Sequence, residues 1–76
     1  MARNLINKEA LAKYFEEFGL KVIEDIAFVD GGMMVFRLIE DEKIPFNLSF
    51  STTLFCIESK EDLKTLLYLM GFIEER

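Results

Sequence analysis

The chain has no histidine and no tryptophan, a single cysteine, Cys56, and a single proline, Pro45. Without imidazole the Ser-His and Cys-His nucleophile pairs cannot form and the commonest nitrogen ligand for metals is missing, which excludes most hydrolase designs. One thiol closes no intrachain disulfide and builds no zinc site alone, so the expected setting is a reducing one, the cytoplasm. Cys56 sits between apolar neighbours in "LFCI", Leu54 to Ile57, and reads as packing rather than as a nucleophile.

Basic charge is also scarce. Nine basic residues stand against fourteen acidic ones, a net charge of -5, and no basic stripe interleaves with aromatics. Such a chain repels phosphate backbones and anionic lipid headgroups, so neither direct nucleic-acid binding nor membrane binding is expected. No apolar run approaches the roughly 20 residues of a membrane span. The opening "MARNLINKEALAKY" carries no apolar core of signal-peptide length, and the reading is of a soluble, non-secreted protein.

Glycine occurs four times, twice together in "VDGGMMVF", Val29 to Phe36. Neither the dinucleotide-binding spacing of glycines nor the P-loop spacing is present. A phosphate cradle needs glycines that lead from a strand into a helix, whose first amides then face the anion. Here they lead into the strand-like "MMVFRLI", so Asp30, Gly31 and Gly32 read as a turn.

What the chain has in abundance is apolar surface: 51% of its 76 residues are hydrophobic and eight are phenylalanine. That supports one core, hence a single domain over residues 1–76. In "KEALAKYFEEF", Leu11, Tyr14, Phe15 and Phe18 recur at helical spacing. Asn7 supplies an N-cap, Ile6 a staple against Leu11, and Gly19 the left-handed stop. The same grammar returns in "KEDLKTLLYLMGF", with Ser59 as cap, Asp62 three residues on, and Gly71 as stop. Lys8, Glu9, Leu11 and Gly19 match Lys60, Glu61, Leu63 and Gly71 at one common offset. Two helices with the same capping problem produce that correspondence without any duplication. The segment "LLYLMGF", Leu66 to Phe72, resembles the first helix and following loop of ubiquitin-associated domains over that short motif alone.

Between the helices, "KVIEDIAFV" reads as a first strand and "MMVFRLI" as a second. "EDEK", Glu40 to Lys43, is the next turn. A third strand starts at Ile44, with Ile44, Phe46, Leu48 and Phe50 on a core face and Pro45, Asn47, Ser49 and Ser51 on a wet one. Pro45 places the start of that strand at an edge or a bulge. "LFCI" either continues it or forms a short fourth strand. The expected fold class is therefore α+β: an antiparallel three- to four-stranded β-meander flanked by an N-terminal and a C-terminal helix, α-β-β-β-α.

Two functional readings follow. The second strand is apolar on both faces apart from Arg37, and helices packed on one face leave the other uncovered. The predicted interface is Met33, Val35, Arg37 and Ile39 with Ile23 and Val29, in a non-catalytic protein-interaction module that dimerises or docks another protein. In the alternative, Glu40, Asp41 and Glu42 form an acidic surface that blocks a nucleic-acid-binding protein by charge mimicry. No cofactor or metal is expected, and no catalytic residue is assigned. Adjacent carboxylates on strands point to opposite faces, and turn carboxylates are solvated, so neither makes a dry acid-base pair.

Overall fold

The computed structural model describes residues 5–29, 32 and 34–74. The elements are α1 (Lys8–Glu17), β1 (Lys21–Ile23), β2 (Ile26–Val29), β3 (Met34–Leu38), β4 (Leu48–Phe50), β5 (Thr53–Phe55) and α2 (Lys60–Leu69). The strands form one antiparallel meander in the order β1-β2-β3-β4-β5. The α+β class and the helix-meander-helix order stand, but among the described residues the strands number five rather than three or four.

Both helices end as their local sequence dictates. The Asn7 side chain accepts the Ala10 N–H at 2.8 Å, and the Ser59 hydroxyl accepts the Asp62 N–H at 3.2 Å. Asp62 also accepts the Glu58 N–H at 3.0 Å, so the start of α2 is held from two sides. At the other ends, Gly19 and Gly71 take φ of 92° and 85°, which lets Leu20 donate to the Phe15 carbonyl and Phe72 to the Leu67 carbonyl. Each is a Schellman closure, and each folds an apolar residue back onto the core. Phe72, the aromatic of the "MGF" motif, is thereby spent inside the fold, with its ring 5.8 Å from that of Phe36.

The core has one centre. Leu11 and Phe15 of α1, Leu63 and Leu67 of α2, and Ala27, Phe36, Leu38 and Leu48 of the sheet are all buried in one cluster. Phe36 lies on the central strand with the rings of Phe15 and Phe50 at 5.3 and 4.8 Å, in tilted arrangements that rings with opposed face and edge charge favour. Both helices therefore lie on one face of the sheet. Lys60 of α2 pairs with Glu17 of α1 and rests over the rings of Tyr14 and Phe18 at 5.8 and 5.7 Å. The hydrogen bond that it donates to Glu17 is the main reason that the Lys60 ammonium is held above its usual pKa.

Two strand expectations need correction. "KVIEDIAFV" is a hairpin, not a strand: Ile23 pairs with Ile26 across a two-residue turn, and Glu24 takes φ of 56° there. The Ser51–Thr52 turn between β4 and β5 repeats this device, with φ of 59° at Ser51 and Phe50 paired to Thr53. The strand predicted from Ile44 begins only at Leu48. Pro45 has no N–H for a ladder and stands exposed in the connecting loop, outside any strand. Asn47, assigned above to the wet face, is 2% exposed and is a polar knot in the core.

Candidate interaction surface

The β1–β2 turn decides which residues face outward. Because Ile23 pairs with Ile26, the side-chain alternation restarts at the turn, and Val22, Ala27 and Val29 fall on the helix-covered face. Ile23, Ile26 and Phe28 fall on the opposite one. The register carries this outer face across the sheet: Ile23, Ile26, Arg37, Ser49 and Leu54 form one row, and Phe28 and Val35 lie in the next.

Ile23, Val35 and Leu54 are 49%, 40% and 47% exposed, while Ile26 and Phe28 are half-buried by their neighbours. The described outer face thus joins five apolar side chains on β1, β2, β3 and β5. Arg37 lies among them on the central strand, exposed, and no carboxylate pairs with it among the described residues.

Of the predicted interface residues, Ile23, Val35 and Arg37 share this face. Val29 does not: it is 5% exposed and packs in the core, because the hairpin reverses the parity on which it was grouped with Ile23. Ile39 lies just past β3, half-buried, on the wall of a separate groove. Met33 lies outside the described residues, as do Asp30 and Gly31 of the expected turn; the segment beyond them is strand β3, not a helix. The missed residues are Ile26, Phe28 and Leu54. For Ile26 and Phe28 the one sequence signal is the charged pair Glu24–Asp25, which interrupts an otherwise apolar run.

The groove beside Ile39 measures about 580 Å3 and runs between Ile6 and the 40–47 loop. Its rim holds the acidic triplet. Asp41 accepts the Lys43 N–H at 2.9 Å, shaping the turn, and Glu40 makes a long 3.5 Å contact with the Lys8 N–H at the start of α1. Glu42 is exposed. Two of the three carboxylates thus serve their own chain, one as a turn former and one at the positive end of a helix. Cys56 is half-buried and directs its thiol at the Pro45 carbonyl, 3.0 Å away. Among the described residues no three cysteine or carboxylate side chains converge as a metal site would require, and no helix is long and apolar enough to cross a membrane.

Comparison of the chain with protein-family models, with curated proteins and with solved structures returns no match.

Proposed function

We propose that this chain is a non-catalytic protein-interaction module whose docking surface is the outer face of the sheet. The observation that carries the reading is the alignment of exposed Ile23, Val35 and Leu54 on one face, with both helices on the other. Apolar groups in that arrangement gain about 25 cal/mol for each Å2 removed from water, a gain that folding of one chain leaves unused. Either a second copy of the chain or a different protein satisfies the same surface. The charge-mimic alternative has less to rest on, since Glu40 and Asp41 are turned to their own backbone.

A photo-crosslinker at Leu54 tests the reading in cells that produce the chain. Discrete protein adducts are expected from position 54 and none from position 16 on the exposed side of α1. Val35→Asp, two strands away on the same face, removes them. Adducts that ignore Val35→Asp, or their absence from position 54, would overturn it. Sedimentation equilibrium over a wide dilution series tells whether an adduct is self or foreign.

A further inference from the structure

The outer face has a size and a charge that narrow its occupant, given the reading of that face as a docking surface. Five strands about 4.8 Å apart make a sheet about 20 Å wide. Strands of three to five residues make it about 10–17 Å deep. The footprint is about 300 Å2, less than half of the roughly 800 Å2 that each partner contributes to a standard stable interface. Any contact through this surface alone, with a second copy or with a single helix, is therefore small, of the weak or transient class. Charge separates the two, because a two-fold axis near the centre of the sheet brings Arg37 against the Arg37 of a second copy. One α-helix, about 10–12 Å across and about 20 Å long over 14 residues, covers the same footprint.

Charge defines the rest. Lys21 and Arg37 are the charged residues that the paired strands place on the described outer face, both cationic, on a chain of net charge -5. The nearest carboxylates in sequence, Glu24 and Asp25, lie in the turn at the end of the hairpin. Arg37 has apolar Ile26 on one side and Ser49 on the other, and a partner laid over the face strips water from its guanidinium. Such a group needs a carboxylate, which it grips through two parallel N–H donors more firmly than a neutral acceptor. A buried arginine in that position is the kind of residue on which binding energy concentrates.

We propose that the outer face receives a single amphipathic helix of another protein, its apolar stripe on Ile23, Val35 and Leu54 and a carboxylate from within that stripe on Arg37. The probe is a pair of synthetic Ala/Leu/Gln helical peptides of about 18 residues, identical but for Glu or Gln at the centre of the Leu stripe. Amide shifts are followed by NMR on the whole chain. In the expected result the outer-face strands shift and the Glu peptide binds about fivefold or more tightly than the Gln peptide. Arg37→Gln, an exposed and benign change, abolishes that preference, and Val35→Asp abolishes binding of both peptides while the dispersed spectrum persists.

Equal affinity of the wild-type chain for the two peptides overturns the proposal. If neither binds and the chain dimerises in a way that Val35→Asp breaks, a second copy holds the face and the interaction reading survives without the helix. Flotation with phosphatidylglycerol vesicles that Arg37→Gln prevents gives the face to a membrane and likewise removes the helix. A monomer that binds neither peptide nor vesicle sinks both readings.

Discussion

The side-chain amide of Asn47 and the backbone of Ile57 exchange two hydrogen bonds: Nδ2 donates to the Ile57 carbonyl at 2.7 Å, and the Ile57 N–H donates to Oδ1 at 2.8 Å. Nδ2 also reaches the Ile6 carbonyl at 3.1 Å, while the Asn47 backbone bonds Phe55 and Ile39. One buried residue, through side chain and backbone together, thus ties the approach to α1, the end of β3 and the exit from β5. Asn47→Ala leaves the Ile57 N–H buried without its partner and takes one donor from each of the Ile57 and Ile6 carbonyls, the former keeping the Ile6 N–H, and should cost about 1–3 kcal/mol in urea unfolding.

Asn47→Asp is the sharper probe. It keeps an acceptor for the Ile57 N–H but turns carboxylate oxygen toward the carbonyls of Ile6 and Ile57. Burial and these carbonyls disfavour its charged form, so its folded pKa rises above the unfolded value of about 3.9. The mutant should then gain stability relative to wild type as pH falls toward that value, the reverse of an ordinary paired aspartate. Parallel urea curves at pH 7 and pH 4 measure the difference.

Glu24 and Ser51 occupy the first central position of their hairpin turns at positive φ, where a Cβ is strained. Glu24→Gly and Ser51→Gly should each stabilise by about 0.5–1 kcal/mol, the relief of strain outweighing the added freedom of the unfolded chain. Glu24→Val should destabilise, because a branched Cβ tolerates that region least. Chemical denaturation of the three variants checks both signs.

What was legible in the sequence was local, and what was missed was set at a distance. The helix caps follow from residues three to five apart, so Asn7, Ser59, Gly19 and Gly71 took the positions that their spacing implied. The β1–β2 turn is not legible locally because Glu24, which takes the positive φ, is not a residue that such turns favour, and tertiary pairing imposes the strained φ. The parity reversal at that turn is what puts Val29 on the covered face and Ile26 and Phe28 on the outer one. The alternation written from Ile44 to Phe50 is not carried into a strand before Leu48: Ile44 is exposed rather than on the core face, Pro45 removes a ladder donor, and Asn47 is drawn inward by carbonyls 10 and 41 residues away in the chain.

Lys60 contributes across α1 and α2 only while it is charged. Its pKa is raised, chiefly by the hydrogen bond to Glu17, so that contribution is complete below the ordinary lysine value of 10.5 and is lost as pH climbs through the higher folded value. Lys60→Met keeps an apolar stem on Tyr14 and Phe18 without the charge. The difference in Tm between wild type and Lys60→Met should be flat from neutral pH to about pH 10 and shrink beyond it. A difference that shrinks before pH 9 would mean that the pair is not formed in solution.

The outer face is separable from the core by its cost to folding. Leu48 is fully buried in the core cluster, and Leu48→Ala should cost about 2–5 kcal/mol. Val35 and Leu54 lie on the same sheet and keep 40% and 47% of their surface in water, so Val35→Thr and Leu54→Thr should each cost less than about 1 kcal/mol. If those two threonine variants instead unfold as readily as Leu48→Ala, the face is part of the folding core and the case for a docked partner fails. If they fold normally and lose adducts from neighbouring positions, the surplus apolar surface serves association, because it contributes little to the stability of the chain alone.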